Sequence, residues 1–191
     1  MKQTFTRTLL AVALFVTSLA GYAQKTALSE EFAGSSLPAG WTQTGSVWKV
    51  ADGYAVFSTF TAGASDRLLT PLTDVSSLSS APIVAITARQ TVRNNTVDYL
   101  TLYYRTDATA EWTEAVSWKL PRGGSEVTYS YTCPEAVKTA GKLQLAIQGD
   151  NNSAGGIYLN SLVIRGISRC TAAPTALTVE PESLTGVSAF I

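Results

Sequence analysis

The chain has 191 residues, 46% of them hydrophobic and 15% charged, and its 14 Lys plus Arg balance its 14 Asp plus Glu. That balance leaves no electrostatic footprint for nucleic acid or an anionic membrane surface. The absence of His removes the commonest general base and metal ligand, and the two Cys alone cannot build a structural zinc site.

In chain order, residues 1–23 come first. Lys2 and Arg7 precede the apolar run LLAVALFVTSLA, which ends at the small residues of Gly21-Tyr22-Ala23. Charged, then apolar, then small is the order of a secretory signal peptide. The run is short for a membrane span, which needs about 20 residues; an uncleaved N-terminal anchor is the rival reading. No Cys follows the cleavage site, which argues against a lipoprotein. Removing the leader leaves about 168 residues, enough for one domain with a substantial core. Losing Lys2 and Arg7 makes its net charge −2.

The mature part reads as strands. The segment SSLPAGWTQTGSVWKV (35–50) sets Trp41 and Trp48 among turn formers, and two roles compete for them: a stacking surface for a ligand, or a hydrophobic plug closing a β-sandwich. The plug is favoured, because Pro38 and Gly40 fix the path of the chain into the strand that follows. GYAVFSTF (53–60) and the β-branched APIVAITARQT (81–91) are the next strands, the latter central in character. VDYLTLYYRTD (97–107) places Leu100, Leu102 and Tyr104 on one face and Tyr99, Thr101 and Tyr103 on the other. AEWTEAVSWKL (110–120) is a strand with a bend, and SEVTYSYT (125–132) another strand. PEAVKTAGK (134–142) predicts one short helical turn stopped at Gly141. KLQLAIQ (142–148) alternates strictly, with Leu143, Leu145 and Ile147 inward and Lys142, Gln144, Ala146 and Gln148 outward. GIYLNSLVIRG (156–166) closes the set.

Turn clusters TAGASD, RNNT, RTDATAE, PRGGS and GDNNSAGG separate these segments. The pattern predicts an all-β fold, an antiparallel β-sandwich or jelly roll, over residues 24–167. Residues 168–191 read as a linker, punctuated by Pro174 and Pro181, and the truncated beginning of a second β-sandwich module.

The succession SEEF, LPAGW, VW, SDRLLTPLTDVS, LYYRTD and GIYLNSLVI, spanning roughly 28–166, resembles the choice-of-anchor J and cleaved-adhesin domains of secreted Bacteroidetes proteins. These include the adhesin modules attached to gingipain proteases, and the relation extends towards MAM-like jelly rolls. Its most specific parts are Leu37-Pro38-Ala39-Gly40-Trp41 and the strand end Leu68-Leu69-Thr70-Pro71. The resemblance implies a jelly-roll sandwich with roles in adhesion or in supporting enzymes, without catalysis. Members of the family often carry Leu-Asp-Asp-Ile or Leu-Asp-Asn-Val, with an acidic residue that helps to hold a structural calcium. Here the matching residues are Leu159-Asn160-Ser161-Leu162, so the charged ligand is missing. Asn160, Glu30, Glu31 and Asp150 are the candidate oxygen donors for such a calcium, although a site of this kind wants several carboxylates. The plainer reading makes Glu30 and Glu31 solvated residues and GDNNSAGG a hairpin loop.

Catalytic constellations are missing. Without His there is no Ser-His-Asp triad. No G-x-S-x-G elbow occurs, and Glu111 and Glu114 flank Trp112 in a polar turn. Cys133 reads as a buried thiol or as a disulfide partner of Cys170, a pairing that export permits. No catalytic residue and no required cofactor is therefore assigned. Trp41, Trp48, Trp112 and Trp118, with Tyr99, Tyr103, Tyr129 and Tyr131, offer a sugar-stacking face, although core packing is the commoner use of such side chains; the four tyrosines are the candidates for an aromatic ligand-binding patch, with core packing as the alternative. The expected function is a non-catalytic adhesion, carbohydrate-binding or protein-binding module of a secreted or cell-surface bacterial protein. Its expected partners are glycans or host extracellular-matrix proteins, with no nucleic acid and no membrane span in the mature chain. The alternative is an accessory or spacer domain of a larger secreted enzyme whose catalytic part lies elsewhere.

Overall fold

Strand β12 (Gly156–Arg169) organises the first of two antiparallel sheets. On one side it pairs with β7 (Ile83–Gln90). On the other, Gly156 to Leu159 pair with β4 (Tyr54–Ser58), and Leu162 to Arg169 pair with β1 (Tyr22–Glu30). Strand β10 (Val127–Thr132) lies outside β7, and β3 (Trp48–Ala51) lies outside β4. Strand β11 (Lys142–Asp150) organises the second sheet. Strand β5 (Ser65–Leu69) and the short β6 (Thr73–Asp74) share one of its sides, and β8 (Tyr99–Arg105) takes the other. Strands β9 (Thr113–Lys119) and β2 (Thr42–Gln43) complete that sheet, giving the order β2-β5-β11-β8-β9. The computed structural model describes residues 22–58, 64–91, 98–121, 124–150 and 156–169. Most of the predicted leader, the loop at 151–155, Cys170 and the predicted module at 168–191 beyond Arg169 lie outside the described residues. Tyr22 and Ala23, assigned to the leader from sequence, are the first residues of β1.

The alternation read from the sequence builds the core. Leu143, Leu145 and Ile147 of β11 and Leu100 and Leu102 of β8 are fully buried. They face Val84, Ile86 and Ala88 of β7, Ala55 and Phe57 of β4, and Ile157, Leu159, Leu162 and Ile164 of β12. Burying one such aliphatic side chain is worth about 1.5–3 kcal/mol, so these rows supply the main driving force. Leu159 and Leu162 are three apart, an odd step that simple alternation would send to opposite faces. A register shift between Leu159 and Ser161 leaves Asn160 as the extra residue of a bulge, and both leucines point inward. A similar shift opposite Leu102 and Tyr103 is the bend expected in β9.

The predicted helical turn is α1 (Glu135–Ala140), ended by Gly141 at φ 70°, a left-handed cap.

The two tryptophans of the opening segment are core residues. Pro38 O accepts a hydrogen bond from Trp41 N at 3.0 Å, closing a turn whose third residue, Gly40, has φ 80°. Trp41 is thereby turned inward, edge-on to Phe32 with ring centroids 5.2 Å apart. Phe32 itself has φ 51°, and Glu30 Oε1 holds that conformation by accepting hydrogen bonds from Phe32 N at 2.8 Å and Glu31 N at 3.1 Å. Trp48 is 1% exposed, packs on Phe57 and donates from Nε1 to Asp66 O at 3.1 Å.

Asp66 fixes the segment between those tryptophans. Its Oδ1 accepts hydrogen bonds from Thr44 Oγ1, Gly45 N and Arg67 N, and its Oδ2 accepts one from Val47 N, all within 2.9 Å. Burial by itself raises the pKa of this carboxyl. The donors from Thr44, Val47, Gly45 and Arg67 outweigh burial and hold it below the ordinary carboxylate value. Gly45 lets the carboxylate approach closely, since a Cβ there would lie 3.1 Å from it and press the carboxylate back by a few tenths of an ångström.

Candidate functional site

The outward-facing side chains of β5, β11, β8 and β9 form the candidate site. Pairing sets them in rows: Arg67 beside Gln148 beside Thr101 beside Ser117, and Leu69 beside Ala146 beside Tyr103 beside Glu114. Gln144 then stands beside Arg105. Two cross-strand Arg–Gln pairs therefore flank Ala146, one on each side of β11. Arg67 Nε donates to Gln148 Oε1 at 2.9 Å, and Arg105 Nε donates to Gln144 Oε1 at 2.8 Å. Each guanidinium also lies over a ring: Arg67 Cζ is 4.0 Å from the centroid of Tyr103, and Arg105 Cζ is 4.3 Å from that of Trp112.

The rest of the face is polar and closely coupled. Gln148 Nε2 donates to Asp150 Oδ1 at 3.0 Å, and Gln144 Nε2 donates to Thr70 O at 2.8 Å. Thr101 and Ser117 share a hydroxyl hydrogen bond of 2.9 Å. Tyr103 OH donates to Glu114 Oε2 at 3.4 Å. Tyr99, next to Asp150 and Lys119 in the pairing, is 39% exposed. Chemically, the surface combines ring faces, amides, carboxylates and guanidinium edges, mounted on strands except for Trp112, which immediately precedes β9.

The four tyrosines singled out from sequence do not share a surface. Tyr99 and Tyr103 are on this outer face. Tyr129 and Tyr131 belong to β10 in the other sheet, paired opposite the buried Ile86 and Val84, and they face the interior. Tyr129 stacks on Trp118 at 5.3 Å, and Tyr131 lies 6.5 Å from Tyr104. Together they close the flank between the sheets, and desolvation raises the pKa of both phenols. Period-two spacing put each pair on one side of a strand but could not say which sheet or which side. Trp112 belongs to the aromatic set that the sequence offers as a stacking face; Arg67, Arg105, Gln144 and Gln148 were not singled out, because only the register of β11 against β5 and β8 brings them together.

The candidate calcium donors are divided. Glu30 ends β1 and Glu31 follows it, and the strand they leave pairs with β12 close to the Asn160 bulge. Asp150 ends β11 in the second sheet. One oxygen of Glu30 is engaged by backbone N–H groups, and Glu31 is exposed. Among the described residues no group of three or more Asp, Glu or Cys side chains is placed to hold a metal ion. Cys133 is buried at 3% exposure, and desolvation pushes its pKa up to about 12, so its thiol is not activated.

No protein-family profile matches the chain, and no curated protein does. Solved structures do match. The K3 cleaved adhesin domain of Lys-gingipain from Porphyromonas gingivalis superposes with a TM-score of 0.60 and 15% identity, over 75% of this chain and 99% of that one. The K1 domain of the same protein gives 0.56 and 16%, over 74% and 98%. The CBM22-1 xylan-binding domain from Paenibacillus barcinonensis Xyn10C gives 0.53 and 14%, over 81% and 100%. The chain thus has the antiparallel β-sandwich fold that gingipain adhesin domains and this xylan-binding domain share, as the LPAGW and LLTP segments led one to expect.

Proposed function

We propose that residues 22–169 form a non-catalytic glycan-binding module of an exported protein, with the ligand seated on the outer face of the sheet β2-β5-β11-β8-β9. The observation that carries this reading is the array of Tyr103, Arg67, Arg105, Gln144 and Gln148 on paired strands, with Trp112 beside them just ahead of β9. Ring faces stack on the C–H faces of sugars, while amides and guanidinium groups read hydroxyls and acidic substituents. Strands hold these groups at fixed spacing, which lowers the ordering cost of binding an extended chain. The likeness of the fold to adhesin domains and to a xylan-binding domain supports the same class of function. Export is supported by the leader-like sequence of residues 1–23, and no helix among the described residues is long and apolar enough to cross a membrane.

A glycan array tests the reading. The wild-type chain is expected to retain a subset of glycans, and Tyr103→Ala to lose about ten-fold in affinity for them or more, the scale of losing one contact of about 1.4 kcal/mol. Far-ultraviolet circular dichroism should be unchanged by that variant. A chain that binds no glycan, or a Tyr103→Ala variant that binds as well as wild type, contradicts the assignment. The first of these results favours the accessory or spacer role.

A further inference from the structure

Arg67 and Arg105 share an arrangement that neutral sugars do not require. A guanidinium has five N–H donors in a planar fork and matches a carboxylate or sulfate through two parallel hydrogen bonds. Both side chains are held in place twice, by the ring beneath and by the Gln beside them. In Arg67 only Nε is engaged among the described hydrogen bonds. In Arg105, Nη1 makes one long contact of 3.4 Å with Ala110 O. Neither arginine forms an ion pair with a described carboxylate; the ion pairs among the described residues are Lys138–Glu135 and Lys142–Asp74. Three carboxylates stand near the two arginines: Asp150 is engaged by Gln148, Glu114 by Tyr103, and Asp107, which attracts Arg105 electrostatically, by the backbone N–H and hydroxyl of Thr109. Two oriented cations thus stand on opposite sides of β11 with their terminal donors available.

The geometry points to an acidic glycan, with uronic-acid carboxylates or sulfate groups, as the ligand of this face, Arg67 and Arg105 each taking one anionic group. This rests on the glycan-binding reading above. Preorganisation is the physical argument: the stacked ring and the Gln remove most of the rotamer freedom that an arginine would otherwise lose on binding. The opposite sheet offers a contrast. There Arg89 also lies over two rings, Tyr158 at 4.3 Å and Tyr54 at 4.9 Å, and Lys49 stands in the same row of paired residues, but no glutamine anchors Arg89 among the described hydrogen bonds and Glu126 accepts the Tyr54 hydroxyl beside it.

Calorimetric titration of the full chain with three probes tests this: a polygalacturonic-acid oligosaccharide, its carboxyl-reduced neutral counterpart, and a sulfated glycosaminoglycan fragment. At least one acidic probe is expected to bind about ten-fold or more tighter than the neutral one, and to weaken as salt rises. The two acidic arms distinguish carboxylate from sulfate. Arg67→Gln and Arg105→Gln should each reduce acidic binding about ten-fold, and by more than they reduce any neutral binding, while leaving the unfolding midpoint unchanged. Equal binding of acidic and neutral probes, or acidic binding indifferent to both substitutions, overturns the acidic assignment while the glycan reading stands. Binding of no probe here and no glycan on the array overturns both. If the variants lose stability and binding together, the more conservative Arg67→Lys decides. Full recovery of stability with binding still impaired supports the fork geometry, and recovery of both overturns it.

Discussion

Trp48→Ala is expected to remove about 3–5 kcal/mol of stability, the usual cost of truncating a buried Trp, from a domain whose total is about 5–15 kcal/mol. The indole is the largest fully buried side chain of the described core. Its loss would leave a cavity against Phe57 and strand the Asp66 carbonyl that its Nε1 now satisfies. Chemical unfolding monitored by circular dichroism should show the midpoint falling with little change in slope. Trp41→Ala should act in the same direction through its edge contact with Phe32. In both variants the fraction that remains folded should bind ligand as wild type does, because neither Trp is on the outer face of β5, β11 and β8. An unchanged midpoint with binding lost would make the tryptophans ligand residues.

Asp66→Asn is the second large effect, expected at about 2–4 kcal/mol, since hydrogen bonds to a charged group are worth about 1.5–3 kcal/mol and an unmatched buried donor costs a similar amount. Asp66 receives only donors, from Thr44, Gly45, Val47 and Arg67. An amide must turn its own NH2 towards at least one of them. The pH dependence follows from the depressed pKa. A carboxyl whose folded pKa lies below its unfolded value of about 3.9 contributes its stability above that value and loses it as pH falls through the folded pKa. Wild type should therefore lose stability below about pH 4, and the Asn variant should lack that component. Unfolding midpoints measured across acid pH for both proteins check this; parallel curves would show that Asp66 does not anchor the loop.

The contrast between these residues shows what sequence makes legible. Leu143, Leu145 and Ile147 could be placed inward at once, because alternation is a property of one strand. Trp41 and Trp48 could be assigned to the core because Pro38 and Gly40 announce a turn beside them. Asp66 was hidden in TAGASD, a composition that reads as a turn, although it starts inside β5 and bonds residues about twenty positions earlier. The Arg67–Gln148 and Arg105–Gln144 pairs were equally hidden, since strand register is non-local and no single segment encodes it. The same limit explains why Tyr129 and Tyr131 were grouped with Tyr99 and Tyr103. Strand β1 went unread because AQKTALSE carries little hydrophobic alternation and adjoins the leader-like segment. Its place is set by the free side of the long β12.

Amide chemical-shift mapping tests the central claim most directly. The chain, labelled with nitrogen-15, is titrated with the tightest glycan found on the array. Perturbations are expected to concentrate at Arg67, at Tyr99 to Arg105 and at Gln144 to Asp150, with Thr87 to Arg89, Tyr158 and the indole N–H groups of Trp41 and Trp48 unmoved. Perturbations centred on Arg89 and Tyr158, or on the Trp41 and Trp48 indoles, would contradict the placement of the ligand on the outer face of β5, β11 and β8.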